Sequence, residues 1–398
     1  MLKKIPIKQL RLGMFIQTLG GRWMDHPFWR SSFKLTKAED WQALIESGVP
    51  DLVIDTDKGL DVESAPAPKA KSTAPAPVAQ KEMPPPVPRV SYDREIEQAK
   101  QIQGKAKLAV TNLFNEARMG NAVDISAVGP LVDEINQSIE RNAGALLSIV
   151  RLKTVDDYTY MHSVAVCVLM TSLGKQMGLI GEELHQVGLA GLLHDVGKMG
   201  MPLEVLNKPG KLTDAEFTVM KNHPMQGWEI LKKAQVSDAI SLDVCLHHHE
   251  KMDGSGYPER LSGDAITLHA RMGAVCDVYD AITSERPYKH GWDPAESIKR
   301  MAEWRNGHFD ETVFQAFVKT IGIYPAGSLV RLKSGRLAVV TDQSDKSLLT
   351  PQVKVFFSTK SNAPIKMEVI DLGRSQDGIE GLEDVVKWGF DLKKVMGF

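Results

Sequence analysis

Apolar positions along residues 1–61 come in short, interrupted runs. Residues 10–19 have strand-like apolar content broken by Gly13, and Val53-Ile54 reads as a second short strand. Thr36 is placed to cap the N-terminus of a helix over about residues 37–46, with Ala38-Glu39 in its first turn. Trp23, Phe28, Trp29 and Phe33 crowd the intervening loop and are expected to supply the core of so small a module. The pattern then vanishes. Residues 62–89 carry Ala-Pro repeats and a Pro-Pro-Pro-Val-Pro run with lysines between, too little apolar surface to fold and too much proline to be supple. This is an extended linker; recognition by a proline-binding partner is the alternative.

From residue 92 the period becomes helical. A polar-rich helix is predicted over about residues 92–118, and a second over about 125–141 with Val128, Leu131, Ile135 and Ile139 near one stripe. Residues 156–178 place His162 on the same face as Ala165, Val166, Leu169 and Leu173. Residues 182–193 form another amphipathic helix running into His194-Asp195. Thr213-Asp214-Ala215-Glu216 reads as a capping box whose helix leads to His223. In residues 265–283, Gly273, Ala274, Asp277, Asp280 and Ala281 share a face, so small residues leave room beside a carboxylate. After about Pro325 the period shortens again: a hairpin over 328–341 about Ser334-Gly335, a strand over 352–358, and a short helix near 382–388. The expected fold is mainly α. It comprises an N-terminal α+β module (1–61), the linker (62–89), connecting helices (90–149), a helical domain (150–322) and a small β-rich appendage (325–398).

Composition changes little in this picture. A chain of 398 residues, 43% hydrophobic and 25% charged, is ordinary for a multidomain globular protein. A net charge of -2 gives no sign of a DNA- or RNA-binding surface. The three cysteines, Cys167, Cys245 and Cys276, sit in apolar contexts without CxxC spacing and read as buried free thiols of a reducing compartment. No apolar run approaches the roughly 18 residues of a membrane span, and the N-terminus lacks the features of a signal peptide. A cytoplasmic protein is expected.

The histidines change it a great deal. Ten of the eleven fall between residues 162 and 308. Around the run His248-His249-Glu250-Lys251-Met252-Asp253-Gly254-Ser255-Gly256-Tyr257-Pro258 stand His162, His194-Asp195, His223 and Asp277, five histidines and two aspartates in all. Imidazole and carboxylate without thiolate favour Fe, Mn or Zn over Ca or Mg. A carboxylate can bridge two cations while the adjacent histidine binds one of them. Two cations roughly 3.5–4 Å apart can hold a hydroxide and clamp phosphoryl oxygens. Lys198, one turn beyond Asp195 if the helix continues, can reach a phosphate oxygen or the leaving oxygen.

His194-Asp195 with His162 and His223 resembles the HD phosphohydrolase superfamily. His248-His249-Glu250-x-x-Asp253-Gly254-x-Gly256-Tyr257-Pro258 is similar to the signature of its HD-GYP branch. Ala270-Arg271, Asp277, Asp280-Ala281-x-Thr283-Ser284 and Arg286-Pro287-Tyr288-Lys289 continue the match over about residues 150–322. The opening module resembles, more loosely, an uncharacterised N-terminal domain often attached to HD-GYP proteins. The resemblance implies a bacterial cyclic di-GMP phosphodiesterase, yielding pGpG and on to GMP. It implies one metal on His162, His194, Asp195 and Asp277, and another on Asp195, His223, His248 and His249, with iron or manganese as the two divalent ions. Within His247-His248-His249, spacing to Asp253-Gly254 selects the last two. Lys198, Arg286 and Lys289 match positions that contact substrate phosphates, a role that suits arginine and lysine. Gly256, Tyr257 and Pro258 belong to a loop associated with diguanylate cyclase (GGDEF) partners; a purely structural turn is the alternative. Members with a third ion use a Glu at the position held here by Tyr158, and Asp157 points elsewhere on the helix, so two metals are expected. An oligomer is compatible with the sequence.

His185, His269, His290 and His308 fall outside the motif and read as structural or surface residues. Asp253 and Asp280 read as orienting partners of ligands or as capping and loop residues. A non-catalytic cyclic di-GMP sensor or scaffold that binds a GGDEF partner is the alternative function. A phosphohydrolase of another nucleotide is a third reading. All seven ligand positions and Lys198 are filled, which favours catalysis.

Overall fold

The structure is a computed structural model that describes residues 2–19, 33–36, 41–42, 44–45, 51–60, 88–121, 123–151, 158–284, 291–305, 307–344 and 347–397. The chain divides into two compact units, Met1–Pro85 and Pro86–Phe398.

In the first unit, β1 (Leu2–Pro6), β2 (Phe15–Leu19), β3 (Phe33–Lys34) and β4 (Asp51–Asp55) form an antiparallel sheet in the order β1-β4-β2-β3. β1 was not anticipated: of its five residues only Ile5 is buried, so it has no apolar alternation to read. Ile5, Leu10, Met14, Ile16, Leu35, Leu44, Leu52 and Ile54 make an aliphatic core. Trp41 packs against it and donates its indole N–H to the Leu10 carbonyl at 2.8 Å. Trp23, Phe28 and Trp29 lie outside the described residues, as do 37–40, 43 and 46 of the predicted helix; residues 41–42 and 44–45 are helical.

The second unit is built on helices: α1 (Tyr92–Met119), α2 (Gly129–Arg151), α3 (Tyr158–Gln176), α4 (Gly181–Leu193), α5 (Leu203–Leu206), α6 (Asp214–Met220), α7 (His223–Lys233), α8 (Ala239–His247), α9 (Leu268–Thr283), α10 (Pro294–Trp304) and α11 (Glu311–Ile321). α1 buries Ile96, Ala99, Ile102, Ala106, Val110, Leu113 and Phe114, a three-to-four spacing that packs on α2. Glu95, 3% exposed, accepts two bonds from the Arg141 guanidinium (2.8 and 2.7 Å) and one from Ser138. The second predicted helix stopped at residue 141 for a physical reason. Asn142 leaves helical dihedrals (φ −165, ψ 100), and its side-chain oxygen accepts from the Ala145 N–H, starting a second helical segment that reaches Arg151.

The capping box at Thr213 is present, with the Thr213 hydroxyl accepting from Glu216 N–H and the Glu216 carboxylate accepting from Thr213 N–H. All three cysteines are buried free thiols.

After α11 the chain forms β5 (Leu329–Leu332), β6 (Arg336–Asp342), β7 (Gln352–Ser358), β8 (Ala363–Asp371) and β9 (Ile379–Leu382), antiparallel in the order β8-β7-β6-β5-β9. β5 and β6 are the predicted hairpin, and Gly335 takes the left-handed conformation (φ 81) in its turn. Leu329, Leu337, Val339, Phe356 and Phe357 join the core of the helices, so the sheet is continuous with them. Its other face holds Val330, Leu332, Ala338, Val340, Val353 and Val355. β8 is missing from the prediction although Ile365, Met367 and Val369 alternate with Lys366 and Glu368; most of its side chains are exposed. α12 (Val385–Trp388) and α13 (Leu392–Met396) close the chain.

This shared core generates a prediction. A chain beginning at Pro86 is expected to show one cooperative thermal transition and native helicity by circular dichroism. A chain ending at Gly322 loses Leu329, Leu337, Val339 and Phe356 from the helical core, and is expected to be insoluble or to melt without a cooperative transition.

Candidate metal centre

Five helices deliver the seven side chains. His162 lies in the first turns of α3, and His194-Asp195 follows α4 directly. His223 opens α7, His248-His249 follows α8, and Asp277 lies in α9. At the end of α4, His194 is still helical (φ −52, ψ −35) while Asp195 (φ −101, ψ 8) leaves the helix and begins a 3-10 turn, Val196–Gly200. Gly197 in that turn touches α7. A Cβ there would lie 1.9 Å from the His223 carbonyl oxygen and 2.3 Å from the Gly227 nitrogen, so only glycine lets the His-Asp turn approach the helix bearing His223. Three residues complete one turn of a 3-10 helix, which brings the Lys198 ammonium round to donate to Asp195 Oδ2.

Each imidazole but one is anchored through Nδ1. His194 donates to the Gly191 carbonyl (2.8 Å), His223 to Met220 (2.8 Å), and His248 to Val244 and Cys245 (3.0 and 3.1 Å). His162 donates to Asp280 Oδ2 at 2.7 Å. Committing Nδ1 fixes the tautomer and leaves the Nε2 lone pair facing inward. The inward atoms converge on Asp195. Its Oδ2 lies 3.4 Å from His162 Nε2 and 3.3 Å from His194 Nε2; its Oδ1 lies 3.3 Å from His223 Nε2 and 3.8 Å from His248 Nε2. Asp277 Oδ1 is 3.0 Å from His162 Nε2 and 3.8 Å from His194 Nε2, and its Oδ2 is 3.7 Å from His249 Nδ1.

This arrangement fits cations. His223 Nε2 and His248 Nε2 face each other at 3.3 Å, although both Nδ1 atoms already hold the ring proton. His194 Nε2 and Asp195 Oδ1 are buried without a hydrogen-bond partner. Opposed lone pairs and orphaned buried acceptors are costly unless a positive charge lies among them. Three groups have ligand atoms within 4.8 Å of one another: His162-His194-Asp277, His223-His248-His249 and His194-Asp195-His248. No group found among the described residues contains a cysteine; Cys276 is simply buried.

The electrostatics follow. Burial would lower His162, but hydrogen bonds to Asp195, Asp277 and Asp280 outweigh it and raise its pKa to about 10. Burial would raise Asp195, yet the charges of Lys198 and His194 hold it well below the carboxylate range. His249 is pushed down to about 3, chiefly by burial, against the opposing charge of Asp277.

The remaining sequence candidates divide. His247 turns away to Asp243 (2.8 Å) and Glu259 (3.3 Å), His185 meets Asp133, His269 meets Glu183, and His308 stacks on Phe309. Asp280 orients His162, whereas Asp253 accepts from the Ser255 N–H within its own turn. Arg286, Lys289, His290 and Asp157 lie outside the described residues; Tyr158 is described only as the first residue of α3. The backbone acceptors were missed. Their only signal is position, since a histidine at a helix end can turn back onto carbonyls three or four residues earlier.

The chain is similar to several known proteins. The family description "HD domain" matches residues 136–313, and "Domain of unknown function (DUF3391)" matches residues 2–128. A cyclic di-GMP phosphodiesterase of Pseudomonas aeruginosa is 55% identical over 393 residues, 98% of this chain and 94% of that protein. The chain belongs to the HD-GYP family of cyclic di-GMP phosphodiesterases. A second relative, the cyclic di-GMP phosphodiesterase response regulator RpfG of Xanthomonas campestris, is 43% identical over 37% of this chain and 39% of its own. A solved HDG"Y"P protein from Bdellovibrio bacteriovorus aligns with a TM-score of 0.47 at 16% identity, covering 80% of this chain and 98% of that one. No helix among the described residues is long and apolar enough to cross a membrane.

The Asp280–His162 bond gives the second prediction. Asp280→Ala removes the partner that orients His162 and is expected to lower metal affinity about 10–100-fold. Competition with a chelator measures this, with unchanged circular dichroism as the control for folding.

Proposed function

We propose that this chain hydrolyses cyclic di-GMP, adding water across one phosphodiester to give linear pGpG, with GMP as a further product. The observation that carries the reading is the Asp195 carboxylate: each of its oxygens faces a different pair of imidazoles. That is the disposition a carboxylate shared by two cations requires. On this reading His162, His194 and Asp277 complete one site, His223, His248 and His249 the other, and Asp195 belongs to both. Iron is the preferred occupant, with manganese as its substitute; a donor set of imidazole and carboxylate without thiolate supports both. The 55% identity to a named cyclic di-GMP phosphodiesterase over nearly the whole chain supports the substrate.

When bound, the two ions supply Lewis acidity, bringing the pKa of water toward neutrality and offsetting phosphoryl charge. The protein's own groups do the rest. The carbonyl-anchored histidines keep their lone pairs aimed inward through turnover. The Asp195 carboxylate, held ionised, takes no proton near neutral pH. Lys198, hydrogen-bonded to Asp195 Oδ2, stands at the edge of the cluster, about a fifth exposed, where an ammonium meets a phosphate oxygen. Arg286 and Lys289 serve as further phosphate contacts. The Gly256-Tyr257-Pro258 loop is a candidate surface for a GGDEF-domain partner.

The test is purified protein prepared anaerobically, loaded with iron or manganese, given cyclic di-GMP, and followed by chromatography of the products. Elemental analysis is expected to find two ions per chain. Conversion to pGpG supports the reading; tight binding without turnover would favour a sensor instead. Asp195→Ala is expected to abolish turnover and to lower the metal content, because one change removes a ligand of both ions. Near wild-type activity in metal-loaded Asp195→Ala would refute the shared-ligand assignment.

Arg286→Ala is expected to weaken substrate binding by about 1.5–3 kcal/mol, the range for a lost charged hydrogen bond. Isothermal titration of an inactive background with cyclic di-GMP measures it, and an unchanged dissociation constant counts against a phosphate contact there.

A further inference from the structure

His249 differs from the other four histidines of the cluster. Among the described residues its Nδ1 meets no backbone carbonyl; the nearest partner recorded for it is Asp277 Oδ2 at 3.7 Å, beyond hydrogen-bond reach. Its side chain is also 23% exposed, against 0–2% for His162, His194, His223 and His248. An imidazole without an anchor and with one side open would rotate about both side-chain torsions. A different contact supplies the restraint. The Tyr257 ring lies over the His249 ring, with centroids 4.8 Å apart and planes inclined by 30°. On the inner side the ring abuts His223 edge-on, at 4.9 Å and 87°, and His248 at 4.2 Å.

The loop is constructed to deliver that ring. Tyr257 N–H donates to the carbonyl of His249 itself at 3.2 Å. Glu250, 2% exposed, accepts from the Glu259 N–H at 2.7 Å. Between these bonds, Gly256 crosses directly over the residues that follow His249. A Cβ at Gly256 would lie 2.5 Å from Glu250 Cα and 2.5 Å from the Lys251 nitrogen, so any other residue would lift the loop and the tyrosine with it. Asp253 N–H to Gly307, Met252 N–H to His308, and the Asp253–Ser262 bridge tie the rest of the loop down.

From these contacts we infer that Tyr257 is a positioning residue for the metal centre: its ring holds the His249 imidazole in place, substituting for the Nδ1 anchor that the other histidines have. The inference rests on the reading of His249 as a ligand, but not on the identity of the nucleotide hydrolysed. It gives the tyrosine a task inside the chain, independent of any partner that docks on the loop. What is needed is the ring, not the hydroxyl.

The experiment is manganese(II) binding to the full-length chain by equilibrium dialysis, with cobalt(II) absorption as a signature of ligand geometry, on Tyr257→Ala, Tyr257→Leu and Tyr257→Phe. Tyr257→Ala is expected to weaken one of two bound ions about tenfold and to alter the cobalt spectrum, the other ion being little affected. Tyr257→Leu, which fills space without a flat face, is expected to fall between. Tyr257→Phe is expected to recover the wild-type affinity and spectrum. Wild-type metal binding in Tyr257→Ala, with activity lost, would overturn the inference and leave the loop to substrate or partner. Equal loss in Tyr257→Phe and Tyr257→Ala would overturn it in favour of the hydroxyl. If the alanine variant unfolds, the leucine and phenylalanine variants still decide between ring and hydroxyl. A wild type that binds two ions but leaves cyclic di-GMP intact refutes the substrate while the ring argument stands; a wild type that binds no ion refutes both.

Discussion

The structure depends on holding five imidazole lone pairs and two carboxylates in a common, nearly water-free volume. Each of those groups prefers water, and several repel one another: His223 Nε2 and His248 Nε2 stand 3.3 Å apart with their protons on the far side of the rings. A hydrophobic core does not accept such a cluster by packing alone. The fold meets the constraint with backbone carbonyls in the last turns of helices, which have lone pairs left to take the Nδ1 proton. Those carbonyls thereby set the direction of the His194, His223 and His248 rings. Asp280 does the equivalent work for His162, which sits inside a helix where no carbonyl is spare.

Legibility in the sequence followed from this. The ligand types, and the stretches that carry them, could be read because the chemistry needs those side chains, and their grouping is improbable by chance. Long helices with a complete apolar stripe, such as Gly181–Leu193 and Leu268–Thr283, were readable to within a few residues. The edge strand Ala363–Asp371 is also readable, since Ile365, Met367 and Val369 alternate with Lys366 and Glu368 even though most of its side chains are exposed. Two things were not. The strand Leu2–Pro6 buries one residue in five. The carbonyl anchors of the histidines belong to the backbone and are invisible to any reading of side-chain types. Only the rule that a residue at a helix terminus can reach back one turn would have suggested them.

The two helices ahead of the metal centre also read differently once their packing is known. Tyr92–Met119 and Gly129–Arg151 form one side of the core into which the C-terminal sheet inserts Leu337, Val339 and Phe356. At the break, Asn142 also donates to the Val90 carbonyl and to Asp342 at 3.2 Å each. A residue that ends one helical segment thus ties the start of the second unit to the strand Arg336–Asp342.

Charge accounts for why such a site is suited to a doubly charged substrate. His194, His223 and His248 give their Nδ1 protons to backbone carbonyls and face the centre as neutral rings, whereas Asp195 and Asp277, both held well below the carboxylate range, bring negative charge. Ionised carboxylates beside inward lone pairs attract cations into a buried volume, where charge is weakly screened. A cyclic dinucleotide carries one negative charge on each of its two phosphodiesters. On the proposed reading, the cations held by those carboxylates and the Lys198 ammonium offset that charge.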